Sequence, residues 1–361
     1  MQKSEMNIST LRMSDWKLFA KTCLKANVPL MTWGAAGIGK SEGTAQLVQE
    51  IGFDSMADIR LSIYDPSDLK GLPVPCFIDG QPSGEQNLDG IPEATPSEKR
   101  GFVMWLRDNL LPTNPDAKVL INFDEINSAS PIVQGMAYQL VLDRKLGDYE
   151  LPKGCRIMAA GNRVSDRGVT NTMPAPLRNR FAHVELIVDV EDWTAHAVAN
   201  DILPELVAFV RFKADQLHDF SPDMTAFPTP RSISMLSNIM KQKPSQAIEH
   251  ALVEGCCGRG FAIEFTGFLR VFRSLPNVKM IETNPDAVDV PSDPCTLYAM
   301  VSTLARMANP TNMDNVIRYA RRLGREFQLL LLTDISARDA KLGKNAQFIK
   351  LNVELKNIAS S

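Results

Sequence analysis

No stretch of the 361 residues approaches the roughly 20 apolar residues of a membrane span, and residues 1–30 lack the unbroken apolar core of a signal peptide. Both absences point to a cytoplasmic protein with no membrane partner. Cysteine is sparse. The six thiols fit neither a zinc-ligand spacing nor a small secreted disulfide framework, and Cys256 and Cys257 are adjacent, which makes a mutual bridge awkward. They read as reduced thiols. A basic excess is also missing: 39 Lys and Arg against 42 Asp and Glu leave a formal charge of -3. That balance gives no general electrostatic reason to bind nucleic acid, leaving only a local basic lining in an oligomer's channel. There is no internal repeat, and no composition bias toward disorder. With 44% hydrophobic and 22% charged residues the chain is ordinary for a globular protein, long enough for two or three packed units.

Hydrophobic spacing predicts a helix from Thr10 to Ala26 and a strand from Val28 to Trp33, then a glycine turn and a helix from Lys40 to Ile51. A second strand is expected at Ile59–Ile63, followed by a loop-rich, Pro- and Gly-dense stretch from Tyr64 to Pro96. Lys118–Phe123 and Arg156–Ala160 read as short buried parallel strands, Pro131–Leu142 as a helix, Arg144–Pro152 as a small hairpin around Gly147-Asp148, and Val184–Val188 as the last strand. Strands alternating with helices imply an α/β fold whose parallel sheet is flanked by helices, with ligands at the carboxyl ends of the strands. Beyond Val190 only helical stretches remain, broken by prolines. The expected division is a large α/β subdomain over 1–190, an all-helical lid over 191–276, and a linker with further C-terminal helices over 277–361.

The chemistry is concentrated in a few places. Gly34-Ala35-Ala36-Gly37-Ile38-Gly39-Lys40-Ser41 matches the phosphate-loop form and lies between an expected strand and an expected helix. Small residues let backbone N–H groups face phosphates, and the following helix N-terminus, with Glu42 in its first turn, adds a fixed positive dipole. Lys40 is suited to the β- and γ-phosphates and Ser41 to Mg²⁺. Asp124 and Glu125 emerge at the end of the apolar strand, Asp124 placed to hold Mg²⁺ and Glu125 to activate or orient the attacking water. Alone, such a pair is more often a helix cap; the phosphate loop beside it changes the balance. Asn162 ends another strand and can set an amide between phosphate and water, although an Asn turn has the same appearance. Arg178 and Arg180 precede the last strand, and delocalised guanidinium charge suits a transferring phosphoryl group on a neighbouring subunit. Arg231 opens a helix after Thr229-Pro230, where a surface arginine is the competing explanation.

These residues in this order resemble the MoxR branch of the AAA+ ATPases, and Pro176–Phe181 also resembles the corresponding part of midasin. The resemblance spans about residues 28–236. It rests jointly on the loop at 34–41, the segment 60–73, Phe123-Asp-Glu-Ile-Asn127, Ala160-Gly-Asn162, Leu177-Arg-Asn-Arg-Phe181 and Thr229-Pro-Arg-Ser232. It implies an AAA+ phosphate-loop core followed by a helical lid, with Lys40 and Ser41 as Walker A, Asp124 and Glu125 as Walker B, Asn162 as sensor 1 and Arg231 as sensor 2. Arg180 is the preferred arginine finger, with Arg178 its helper. Asp65–Leu72 then belongs to an insertion in helix 2 and Arg144–Pro152 to the hairpin before sensor 1. The family further implies ATP with Mg²⁺, a hexameric ring of identical subunits, and a protein client, often one carrying a von Willebrand factor A domain. Two features depart from the pattern: Asn122 interrupts the apolar strand, and Cys295–Ser361 matches nothing in the family. A nucleotide-gated scaffold and a nucleic-acid motor or restriction subunit need the same pocket, and no residue distinguishes ATP from GTP.

Overall fold

The computed structural model describes residues 7–78, 100–106, 110–147, 149–163, 171, 173–220, 223–275 and 278–359. The chain divides into two compact units, Met1–Ala36 with Lys40–Ile187, and Gly37–Gly39 with Val188–Ser361.

The first unit contains β1 (Thr10–Leu11), α1 (Met13–Lys25), β2 (Leu30–Trp33), α2 (Lys40–Ile51), β3 (Ser55–Arg60), α3 (Pro66–Lys70), β4 (Leu72–Ile78), β5 (Arg100–Leu106), β6 (Val119–Asp124), α4 (Pro131–Asp143), β7 (Lys145–Leu146), β8 (Tyr149–Glu150), β9 (Arg156–Gly161), α5 (Ala175–Arg178) and β10 (Ala182–Leu186). Six strands form one parallel sheet in the order β1-β10-β2-β9-β6-β3. The α/β class read from the sequence is therefore the one observed.

Strands β2, β6 and β9 are near-continuous apolar runs because both their faces are buried. The pairing of Trp33 with Gly161, and of Phe123 with Ala159, brings their carboxyl ends to the same edge. Helix α1 is fixed to the sheet by the fully buried Trp16, whose indole N–H donates to Thr32 Oγ1 at 2.9 Å. Gly43 in α2 lies so close to α1 that a Cβ there would sit 2.9 Å from the Trp16 ring.

Several boundaries differ from the sequence reading. The helix expected from Thr10 begins at Met13, and Thr10–Leu11 instead form β1, which pairs in parallel with β10. The strand expected at Ile59–Ile63 begins at Ser55 and ends at Arg60, and Leu61–Ile63 form a short 3₁₀ turn. As an edge strand bonded only to β6, β3 tolerates the exposed Ser55, Asp58 and Arg60, so its apolar signal is confined to its C-terminal end. The stretch expected as loop after Tyr64 contains α3, closed by reciprocal capping between Asp65 and Asp68, and then β4, which pairs antiparallel with β5. Residues 79–96 of that stretch lie outside the described residues. The last strand starts at Ala182, two positions earlier than its apolar run, because the partly buried Ala182 and His183 already pair with β2. The hairpin at 144–152 is present as β7 and β8.

The second unit is helical, as expected: α6 (Val190–Ala199), α7 (Pro204–Phe212), α8 (Pro230–Met240), α9 (Gln246–Arg273), α10 (Pro294–Met307), α11 (Met313–Ala320), α12 (Arg325–Arg338) and α13 (Ala346–Ala359). Proline stands in the first turn of α7, α8 and α10, where a missing N–H costs nothing, and Asp189, Thr229 and Asp293 cap α6, α8 and α10 through their side chains. Helix α9 is two helices broken at Gly258 (φ 83°), where a Cβ would lie 2.3 Å from the Ala226 carbonyl oxygen. One core gathers Phe209, Phe261, Phe265 and Phe268, and another gathers Met300, Ile317, Tyr319 and Leu331.

Residues 277–294 read as a linker from their Pro, Asn and Asp content, yet the described residues among them include two short 3₁₀ turns, with Val278, Ile281 and Val288 buried in the second of these cores. Arg322 donates to the carbonyls of Pro285 and Val288, holding the segment against α11. The three apolar anchors are too far apart to produce a periodic signal. A buried bidentate pair, Arg211 to Asp334 at 2.5 Å for each bond, joins α7 to α12. Among the described residues, no helix is long and apolar enough to cross a membrane.

Candidate nucleotide site

The residues singled out at the carboxyl edge of the sheet converge. Lys40, at the first position of α2, extends its ammonium over the loop that it follows. It donates to the carbonyl oxygens of Gly34 (2.6 Å) and Ala35 (2.9 Å) and to Asn162 Oδ1 (3.1 Å). Lysine, loop and Asn162 thus meet across β2 and β9, 122 positions apart in sequence. Ser41 is half-buried in the first turn of α2. Glu42 is exposed and accepts from Gln46 along the helix at 3.2 Å.

Loop residues Gly34 and Ala35 are buried, Ala36 is exposed, and the remaining three, Gly37, Ile38 and Gly39, group with the second unit. There the Arg231 backbone N–H donates to the Gly37 carbonyl at 3.1 Å. Gly37 has φ +76°, and a Cβ on it would come within 2.8 Å of Thr229 Oγ1, so both conformation and space demand glycine. The Arg231 side chain is exposed.

Asp124 ends β6 half-buried. Its Oδ1 accepts from the Glu125 backbone N–H at 3.0 Å. Burial, reinforced by the negative charge of Asp58, holds its carboxyl above the ordinary carboxylate range, against the lowering influence of that N–H and of Lys40. Glu125 occupies the left-handed region (φ 54°, ψ 35°), uncommon for a residue with a side chain. Its Oε2 accepts from Ser62 Oγ at 2.5 Å. Asn122, the polar residue in the apolar strand, is buried on β6 and donates to Asp58 Oδ1 at 2.7 Å.

Three residues contribute that motif reading passed over. Ser62 holds Glu125. Asn127, buried at 2% exposure, donates to the Asn162 carbonyl (2.9 Å) and accepts from the Asn162 N–H (3.3 Å), so it fixes the Asn162 backbone. Gly161 leaves room for it, since a Cβ there would be 2.7 Å from Asn127 Oδ1. The third is His183, on β10. Asn127 was visible at the end of Phe123–Asn127, but nothing in that spacing marked it as a clamp.

Arg178 and Arg180 are not drawn into this cluster. Both are exposed, Arg178 at the end of α5 and Arg180 on the turn that follows, anchored by buried Leu177 and Phe181, and neither guanidinium has a partner among the described residues.

The donor set suits a magnesium nucleotide. Ser41 and Asp124 offer hard oxygen ligands, a bound cation would relieve the unfavourable ionisation of Asp124, and Lys40 supplies a fixed positive charge beside a loop whose Gly37 leaves no room for a Cβ.

No protein-family model matches the chain, and a search of curated proteins returns no match. Solved structures similar to it include a RuvB point mutant from Thermotoga maritima (13% identity, 84% of each chain covered, TM-score 0.39). A second is Thermotoga maritima RuvB described as a Holliday junction branch migration motor (12%, 84% of each chain, TM-score 0.35). A third is NtrX from Brucella abortus in complex with ADP (10%, 96% of this chain and 68% of that one, TM-score 0.34).

Proposed function

We propose that the chain is a Mg²⁺-dependent ATPase of the AAA+ type, nearest the MoxR branch, acting as a ring of identical subunits that remodels or activates a protein partner. One observation carries the reading: Lys40, the adjacent Asp124 and Glu125, and Asn162, contributed by three separate segments, stand together at the carboxyl edge of β2, β6 and β9.

Lys40 neutralises charge on the β- and γ-phosphates from a position fixed by Gly34, Ala35 and Asn162. Ser41 and Asp124 would hold Mg²⁺, which would supply further charge neutralisation on the phosphates. Glu125 orients the attacking water and accepts its proton. Asn162, with its backbone held by Asn127, keeps an amide at the phosphate side of that water. Arg180, helped by Arg178, reaches the γ-phosphate on the next subunit; their exposure supports a role outside their own pocket. Arg231 acts as the lid's sensor. The insertion that includes α3 and the β7–β8 hairpin bear on the client; a hexamer and a client with a von Willebrand factor A domain follow from the resemblance, and a cytoplasmic setting from the sequence features described above.

Glu125→Gln tests the reading. It should bind Mg-ATP normally in calorimetry while phosphate release falls about 10²–10⁴-fold; unchanged turnover removes Glu125 from the mechanism. A second reading, a nucleotide-gated scaffold with slow hydrolysis, is favoured by the Ser62 hydrogen bond that occupies the base. Turnover measured with and without a partner separates the two.

A further inference from the structure

His183 lies on β10, outside every motif described above, yet its ring makes two directional bonds to the ends of the machinery. The Trp33 indole Nε1 lies 3.0 Å from His183 Nδ1, and His183 Nε2 lies 2.7 Å from the Arg178 carbonyl oxygen. The roles follow from the partners. An indole nitrogen only donates and a carbonyl only accepts, so Nδ1 accepts from Trp33, and Nε2 carries the proton and donates to Arg178. The imidazole is neutral in one tautomer. Its ring is nearly parallel to that of Trp33, at 14°, and meets the edge of Phe181.

The two partners are the informative part. Trp33 is the last residue of β2, directly before Gly34, and it is paired with Gly161, the residue before Asn162. Arg178 ends α5 and opens the turn that presents Arg180. Its carbonyl also accepts from the Phe181 N–H, so that single oxygen organises the turn. Buried Leu177 and Phe181 hold the base of the turn while both guanidinium groups project outward.

We propose that His183 is a positioning residue that ties the arginine-bearing turn to the strand entering the phosphate loop, so that the arginines a subunit offers its neighbour follow the state of its own nucleotide loop. This rests on the reading of Arg180 as a finger acting in trans. Misplacing a charge-stabilising group by about an ångström is enough to cost about 10²-fold in rate, and one imidazole with no flexible link on either side is a short path for such a shift.

Three variants and a mixing experiment test it. His183→Phe keeps a ring in place and removes both bonds; Trp33→Phe removes one donor; the double variant should lose no more than His183→Phe alone. The expected result is a fall in kcat of about 10–100-fold with KM for Mg-ATP within about threefold. His183→Phe subunits, whose own pockets are intact, should regain hydrolysis when mixed with Lys40→Ala subunits, which still carry a correctly held finger. A merely structural role gives no such rescue. Arg180→Ala mixed with Lys40→Ala is the control: rescue there without rescue of His183→Phe overturns this inference alone, and rescue in neither overturns the trans finger along with it. Independently of turnover, long-range ¹H–¹⁵N spectra of the nucleotide-free protein should show the Nε2–H tautomer at His183, and an Nδ1–H form would break the tie outright.

Discussion

Ser62 donates its hydroxyl proton to Glu125 Oε2 at 2.5 Å, across 63 positions of sequence. The bond joins the 3₁₀ turn after β3 to the residue after β6, and it falls on the carboxylate that the proposed mechanism uses as its base. A carboxylate oxygen already engaged by a hydroxyl donor must give up that hydrogen bond before the same oxygen can take a proton from water.

Ser62→Ala should therefore raise basal phosphate release. A hydrogen bond to a charged group is worth about 1.5–3 kcal/mol, which bounds the gain at roughly 10- to 100-fold, and part of it will be lost to a less ordered side chain. Nucleotide affinity should not change. Steady-state phosphate release and calorimetry on the same preparation check both; a fall in rate would mean that the hydroxyl aims the carboxylate rather than restraining it.

The pocket's principal residues were legible because each lies at the end of a buried strand or of the glycine loop that follows one, and buried parallel strands are contiguous apolar runs. Lys40, Asp124, Glu125 and Asn162 could be placed at one edge from order alone. The residues that hold them were not legible. Ser62 sits in a turn at the end of an edge strand, where neither period 2 nor period 3.6 applies, and its partner is remote in sequence. Asn122 registered only as a polar interruption, since its purpose depends on Asp58 on the neighbouring strand. Strand β4 was hidden by Pro73 and Pro75, residues that ordinarily argue against a strand but are tolerable in a two-stranded ribbon with a free edge.

Asn127 is the second test of such support. Both of its side-chain hydrogen bonds reach the Asn162 backbone, so Asn127→Ala releases the Asn162 segment and removes the partners of a half-buried N–H and carbonyl. The expected loss is about 1–3 kcal/mol of stability, together with a drop in kcat. Asn127→Asp keeps the acceptor and loses the donor, so it should recover part of both. Denaturant melts alongside turnover check it; equal stability in all three proteins would show that the clamp does not carry load.

Glu205, in the first turn of α7, should give the second unit a pH signature. Its carboxyl is held above the ordinary carboxylate range, mainly by burial and in lesser part by Glu249, against the lowering influence of its own backbone N–H and of Arg306 and Arg273. The folded state therefore holds this proton more tightly than the unfolded chain. Below the ordinary carboxylate range both states are protonated and nothing is lost. As pH rises through that range and past the raised value, the unfolded state ionises first and stability falls. Glu205→Gln, which never ionises, should melt at the same temperature as the parent in acid and higher at neutral pH. Thermal melts across pH 3–8 check it, and a constant difference at every pH would mean that the substitution acts through packing.

The pair Arg211 and Asp334 separates stability from specificity. Their side chains are 8% and 3% exposed, and the bidentate geometry satisfies both. Burying two charges costs several kcal/mol of solvation that their attraction only offsets, so the intact pair contributes little net stability. Removing one partner is different, because the other is left charged, buried and unpaired. Arg211→Met should cost about 3–5 kcal/mol, whereas Arg211→Met with Asp334→Leu should fall within about 1 kcal/mol of the parent or exceed it. Guanidinium melts of the single and double variants measure the difference. If the double variant is as unstable as the single one, the ion pair is a net source of stability, and α12 then depends on it for its attachment to α7.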